Sequence, residues 1–292
     1  MVDVVKTIMN LNLPENGKFE TYGKVKSISE FYDELSEDYA DMIEFSAKVE
    51  SEREIFENIV SEYKIKRCLD AGCGVGLHSI ILSKLGVDVV GIDISASMIE
   101  KAREFAQIFG ASAKFEVLDF STIRDNYREE FDLVLCLGNT LPHFLNEKDL
   151  LVALRNFYNV LRGDGVLILQ ILNYDKIMEM EERIISVRET SDKIFVRFYD
   201  FEPTIIGSPS LRVFEIRRDF LKFNVLVVDK TKNYAYKLVT TRIKPIRSEE
   251  LCKKLHMVGF KSVEIFGDLF RNEFKSEVSK NIVIFAQKVK RE

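Results

Sequence analysis

The sequence predicts an α/β fold: a mostly parallel seven-stranded sheet with helices on both faces, an N-terminal helical lid and an antiparallel β insertion. Three observations lead there. Short apolar segments alternate with segments of helical periodicity between residues 65 and 173. One of them, Phe131 to Leu137, is apolar enough to be covered on both faces, as a central parallel strand is. The rhythm then breaks at residue 174 and returns at 248, which sets 174–247 apart as a run of β-rich segments.

Residues 24–64 read as helix. Apolar positions recur at helical spacing through Ser29–Leu35, and Ile55, Ile59 and Val60 repeat the stripe; residues 1–64 are expected to form the lid. Lys66 to Ala71 is a short strand running into glycines. Helix Leu77–Leu85 and strand Val87–Ile92 follow. Ser95 is an N-cap candidate for a helix reaching Phe109, with Met98, Ile99, Ala102 and Phe105 on one face. Strands Ala113–Leu118 and Phe131–Leu137 come next, then a helix over 147–161. Gly163-Asp164-Gly165 is expected to turn the chain into strand Val166–Leu172. After the insertion, helix Ser248–Val258 and strands Phe260–Phe266 and Asn281–Gln287 complete a core of residues 65–173 and 248–292. Such alternation gives right-handed crossovers.

The insertion opens with a helical piece, Tyr174–Glu182. Five β segments are then expected: 184–190, 193–201, 211–222, 224–229 and 234–242. Asp192-Lys193, Lys222-Phe223-Asn224 and Lys232-Asn233 read as hairpin turns between them. The insertion is the expected seat of substrate specificity, or a surface for homo-oligomer formation.

Composition narrows the function. The 292 residues carry a net charge of -5, which argues against a nucleic-acid partner. Cys68, Cys73, Cys136 and Cys252 lack close metal-ligand spacing, so no metal site is expected and reduced thiols are the better reading. Met1 to Leu13 has no basic start followed by a long apolar run, as a signal peptide would. No stretch approaches the roughly 20 apolar residues of a membrane helix. A cytoplasmic protein is expected. Glutamine is confined to Gln107, Gln170 and Gln287 while Lys, Glu, Ile and Val abound, a balance associated with thermophiles.

The chemistry is carried by segments at strand ends. In Asp70-Ala71-Gly72-Cys73-Gly74-Val75-Gly76-Leu77 a strand ends in glycines and a helix begins. Glycines let backbone approach a ligand, and a helix N-terminus offers free N–H groups. A dinucleotide fingerprint would need a third glycine at Leu77, and a phosphate loop would need Gly-Lys-Ser/Thr where Gly76-Leu77-His78 stands. What remains is G-x-G-x-G behind an acid. Asp93, in Gly91-Ile92-Asp93-Ile94-Ser95, closes the next strand, where a carboxylate can accept both hydroxyls of a ribose. Asp119 and Phe120 close the third strand. Three motifs at successive strand ends mark one crevice at the switch point of an open sheet.

Taken together, these motifs resemble those of class I S-adenosylmethionine-dependent methyltransferases, whose sheet is Rossmann-like. The resemblance implies that Gly72, Gly74, Gly76, Asp93, Ile94, Met98, Asp119, Phe120 and Leu137 contact S-adenosylmethionine, which leaves as S-adenosylhomocysteine. Asp119 would take the adenine amino group and Phe120 would pack on the ring. The fourth segment, Leu137-Gly138-Asn139-Thr140 with His143, together with Asn173-Tyr174-Asp175, Gly267-Asp268 and Ile282–Ala286, resembles the glycine/sarcosine N-methyltransferase branch. Tyr32 and Tyr39 resemble its tyrosine-bearing lead-in, and Lys48 or Arg53 would reach the methionyl carboxylate.

One position departs from that branch. Glycine-methylating members place an arginine before Asn-Tyr-Asp to hold the substrate carboxylate, and here Leu172 stands there. That counts against glycine as acceptor and leaves a less charged or more apolar amine, or a hydroxyl. The expected reaction is direct displacement onto a small molecule. Asn139 and carbonyls near Leu137 would orient the acceptor, and His143 would take its proton or simply pack in the loop. RNA or protein methylation, and a non-catalytic S-adenosylmethionine sensor, are the alternatives.

Overall fold

A computed structural model describes residues 24–208 and 213–289 of the chain. The first part of the expected lid, residues 1–23, lies outside the described residues. Seven strands form one sheet in the order β10-β11-β5-β4-β1-β2-β3. These are β1 (Arg67–Ala71), β2 (Asp88–Asp93), β3 (Lys114–Val117), β4 (Phe131–Cys136), β5 (Leu161–Leu172), β10 (Ser262–Phe266) and β11 (Asn281–Gln287). The first five pair in parallel, while β11 runs antiparallel to both β5 and β10. Strands β2 and β3 extend the sheet from one side of β1, and β4 and β5 from the other. The order therefore reverses between β1 and β4, and a crevice opens beyond their C-terminal ends.

Alternation along the strands assigns their side chains to two cores. Leu69, Ala71, Val134, Cys136, Leu167 and Leu169 face one side. There they meet α6 (Ile123–Asn126), α7 (Glu147–Val160) and α9 (Ser248–Val258) through Ile123, Leu154, Phe157, Leu251 and Leu255. Cys68, Leu133, Leu135, Val166 and Ile168 face the other, against α4 (Leu77–Lys84) and α5 (Ala96–Phe109). The central strands read as nearly unbroken apolar runs because both faces are covered.

Over 24–64 the expected lid is three helices rather than one continuous stretch: α1 (Ile28–Ile43), α2 (Phe45–Ser51) and α3 (Arg53–Tyr63). Ser27 starts α1 with a capping box, its hydroxyl accepting from the Glu30 N–H while the Glu30 carboxylate accepts from the Ser27 N–H. Glu44 ends it in a left-handed conformation (φ 62°), which turns the chain so that α1 packs on one core and α2–α3 on the other. Periodicity continues across that bend, so the stripe alone conceals it. Asp33 ties α1 to the end of β2, accepting from the Ser95 hydroxyl at 2.6 Å and the Ser97 N–H at 3.3 Å.

Residues beyond β5 pass through α8 (Tyr174–Met180) into a second, antiparallel sheet in the order β6-β7-β8-β9. Its strands are β6 (Ile184–Glu189), β7 (Lys193–Ser208), β8 (Val213–Asp229) and β9 (Ala235–Ile243). One face, through Phe195, Tyr199, Phe223, Val225 and Val239, joins the core beneath α1. The turn expected at Lys222-Phe223-Asn224 is absent, because β8 runs straight through it. Phe223 pairs with Tyr199 on one side and Thr241 on the other. Asn224, a turn-former in isolation, is fully buried, donates to Asp200 and accepts from the Thr240 hydroxyl. The Gly163–Gly165 turn is likewise a register irregularity inside β5. No helix among the described residues is long and apolar enough to cross a membrane.

Candidate active site

The crevice at the strand ends widens into a cavity of about 750 Å³. Three parts of the chain wall it. The seven-stranded sheet contributes Gly72, Gly74, Asp93, Ile94, Asp119, Phe120, Leu137 and Asn139 from four successive loops. The lid contributes Tyr32, Tyr39, Lys48 and Glu52, and the second sheet Ile185, Arg197, Phe223 and Val225.

At one end the walls are mostly backbone. Gly72 has φ +76°, and a Cβ there would sit 2.8 Å from the Thr140 side chain, so both conformation and space demand glycine. Its N–H donates to the Ile92 carbonyl at 2.8 Å, fastening the loop across the end of β2. Asp93 is buried. It accepts from the Gly74 N–H at 2.9 Å and the Ser95 N–H at 3.0 Å, one on each oxygen. Burial outweighs those bonds and pushes the carboxyl up to about 6. Each oxygen keeps a further acceptor position. Asp119 accepts from the Ser121 N–H at 2.7 Å, and Phe120 packs between Phe144 and Phe157.

The other end is built from side chains. The Tyr32 hydroxyl lies 3.0 Å from His143 Nε2, and His143 Nδ1 is buried with no hydrogen-bond partner. Burial holds the imidazole down at about 4, so it is neutral at ordinary pH. Asn139 adopts a left-handed conformation (φ 69°), and its amide is already engaged. Oδ1 accepts from the Leu172 N–H at 3.0 Å, while Nδ2 donates to the Tyr174 hydroxyl at 2.9 Å. Tyr174 and Tyr199 are both fully buried, their hydroxyls 2.9 Å apart. Asn139 thus braces the loop after β4 against the tyrosine pair rather than presenting a free amide to an acceptor. The Leu137 carbonyl also accepts a bond, from the Thr140 hydroxyl at 2.9 Å.

Two residues expected at the cofactor site stand behind the wall. Gly76 packs toward Phe115 and Ala102, and Met98 is fully buried in the core under α5. Their connection to the cavity runs through the loops they anchor; the Met98 N–H, for example, donates to the Ser95 cap at 3.1 Å. Lys48 is on the wall, 3.5 Å from Glu52, whereas Arg53 is exposed and outside it. Sequence reasoning missed Glu52, His78 and Arg197. His78 Nε2 lies 3.2 Å from Glu52 across the end of the glycine loop. A histidine one residue into a helix gave no signal, because only the fold of α3 brings Glu52 to it.

Residues 68–165 match the family model described as a methyltransferase domain. The glycine/sarcosine N-methyltransferase of Aphanothece halophytica is 30% identical over 245 residues, spanning 82% of this chain and 83% of that one. The chain belongs to the class I S-adenosylmethionine-dependent methyltransferases. Within that class it resembles the glycine/sarcosine branch, and a second such enzyme, from Halorhodospira halochloris, is 28% identical over 82% of each chain. Solved structures share the fold. A S-adenosylmethionine-dependent methyltransferase from Clostridium acetobutylicum superposes with a TM-score of 0.70 at 15% identity, covering 89% of this chain and 99% of that one. The CcbJ methyltransferase of Streptomyces caelestis gives 0.65 at 18% identity, over 82% and 90%. This methyltransferase is an enzyme whose cofactor is S-adenosylmethionine.

Proposed function

We propose that this methyltransferase acts on the nitrogen of a small amine held in the side-chain end of the cavity. The observation that carries the reading is the enclosure itself. A cavity of about 750 Å³, roofed by α1 and the second sheet, has the dimensions of a metabolite site rather than an open cleft for RNA.

The residues at the backbone end fit the cofactor. Asp93 offers two buried oxygens to ribose hydroxyls, Ile94 and Phe120 offer apolar surface to adenine, and Asp119 offers an acceptor for its amino group. Gly72 and Gly74 let the loop approach without side chains, and Lys48 is the cation on that wall. When bound, S-adenosylmethionine supplies a methyl group that forms a bond to nitrogen as its bond to sulfur breaks and the electron pair stays on sulfur.

What the chain adds is position and a dry surrounding. Leu172, Phe223 and Val225 line the acceptor end, and an apolar setting favours the neutral amine over its ammonium form. His143 stands on the cavity wall with Nε2 3.0 Å from the Tyr32 hydroxyl, so the pair shapes the polar edge of the acceptor end. The low affinity of His143 for protons makes it a poor base for a hydroxyl, which favours nitrogen over oxygen as the methylated atom. Asn139, Tyr174 and Tyr199 fix the floor beneath.

The test is mass spectrometry of products from a panel of small amines and alcohols, with bulk RNA alongside. N-methylated small amines are the expected products, and methylation of RNA or of alcohols alone would overturn the reading. His143→Ala is expected to lower kcat roughly 10-fold, the loss of one positioning hydrogen bond, while leaving cofactor affinity unchanged.

A further inference from the structure

The loop read as the adenine site hangs from the edge of the sheet. Asp119 and Phe120 follow β3, a four-residue strand that ends the sheet order and pairs with β2. The bond from the Leu118 N–H to the Asp93 carbonyl, at 3.0 Å, is where main-chain support from the sheet stops. The chain then makes a single 3-10 turn, Phe120–Thr122, and one side chain holds two of its carbonyls. Asn156 Nδ2 donates to the Phe120 carbonyl at 2.8 Å and to the Ser121 carbonyl at 3.1 Å. Both hydrogens of the amide are spent there. Asn156 lies buried within α7, where asparagine is a poor helix former, and it stands outside the cavity wall.

Peptide geometry carries that grip through to Asp119. The Phe120–Ser121 peptide is trans, so its C=O and N–H point in opposite directions. With the carbonyl turned to Asn156, the Ser121 N–H points away from α7 and donates to Asp119 Oδ1 at 2.7 Å. Asn156, the peptide and Asp119 form one hydrogen-bonded line from the helix to the cavity wall, each bond polarising the next. Oδ1 is thereby tied back, and Oδ2 has no protein donor among the described residues. The next residue of α7, Phe157, packs edge-on against Phe120 with centroids 5.2 Å apart. One turn of helix therefore sets both the carboxylate and the ring.

We infer that Asn156 is the positioning residue through which α7 sets the enzyme's preference for an aminopurine base in its cofactor. The inference rests on the reading of Asp119 and Phe120 as the adenine site. Oδ2 is the acceptor left for an exocyclic N–H, and an oxo group in that place would set acceptor against acceptor. A site built for a donor rejects the analogue that lacks it, provided the carboxylate cannot turn to relieve the mismatch. Asn156 removes that freedom without touching the ligand.

Calorimetry with S-adenosylhomocysteine and S-inosylhomocysteine, whose bases carry an amino and an oxo group respectively, tests this without turnover. Wild type is expected to bind the adenosyl compound about 10–100-fold more tightly. Asp119→Ala should abolish the preference. Asn156→Ala removes both donors, and Asn156→Ser is too short to span both carbonyls; each should cut the preference about tenfold. Asn224→Ala, which loosens the second sheet instead, should keep the wild-type ratio. A merely structural asparagine would lower the melting temperature and leave the ratio unchanged, which would overturn the assignment. Equal binding of the two compounds by wild type would overturn it as well. A preference that survives Asp119→Ala would move adenine away from this loop and sink the reading of the cofactor end. One that falls with Asp119→Ala but not with either Asn156 variant would sink this inference alone.

Discussion

The two ends of the cavity are made by different means. The end we propose for the cofactor is backbone: loops at the tips of β1, β2 and β3, turned by glycine and fastened to one another by main-chain hydrogen bonds such as Gly72 to Ile92 and Leu118 to Asp93. The end we propose for the acceptor is side chain: Tyr32 from α1, His143 after β4, and Arg197 and Phe223 from the second sheet, with the buried Tyr174–Tyr199 pair behind them. Backbone architecture tolerates few alternatives, because a Cβ at Gly72 would collide with Thr140. Side-chain architecture can be exchanged one residue at a time over the same scaffold. A common cofactor and a variable acceptor are what such a division permits.

The sharpest way to break that comparison is at Asp93. Asp93→Ala removes both acceptor oxygens from the cofactor end and is expected to weaken S-adenosylmethionine binding about 100-fold or more, measured by calorimetry. Unchanged affinity would mean that the backbone end does not hold the ribose.

A gentler probe of the same carboxylate is pH. Ribose hydroxyls donate to the ionised form, whose carboxyl burial has raised to about 6. Cofactor affinity should therefore be full above pH 6 and fall by up to about tenfold per unit as pH drops through it. In the free enzyme the sign is opposite. A raised carboxyl stabilises the fold at low pH and loses that contribution as pH rises through about 6. An affinity flat from pH 5 to 8 would detach Asp93 from the cofactor.

The smallest effect tests the second sheet. Asn224→Ala strands the Thr240 hydroxyl and removes a donor to Asp200 inside the sheet, which should cost roughly 1–3 kcal/mol in urea unfolding. Because Asn224 sits outside the cavity wall, cofactor affinity should stay as in wild type. A parallel loss of cofactor binding would show that the two ends are not separable.

Much of this was legible in the chain. The glycine loop, Asp93, Ile94, Asp119 and Phe120 were found as strings, and all but Gly76 and Met98 of the expected cofactor set line the cavity. Those two share the motif's spacing but not its direction. Met98 lies on the apolar stripe of α5 that faces the sheet, so the periodicity that marked it as helical also buried it. Asn139 was found by resemblance, but its engagement with Tyr174 and Tyr199 depends on residues 35 and 60 positions away. Arg197 gave no local signal, since a strand of alternating residues does not declare which face is inward.

By itself the sequence determined the parallel core, the strand-end motifs and the enzyme class they carry. Those features depend on spacing within a few residues: a strand, a glycine turn and a helix cap. Only the tertiary structure decided where β8 continues through Asn224, how the lid breaks at Glu44, and which side chains meet at the acceptor end. These depend on contacts between separate elements, from Asn224 with Thr240 and Asp200, 16 and 24 positions away, to Tyr32 with His143, 111 positions away, which no local pattern encodes.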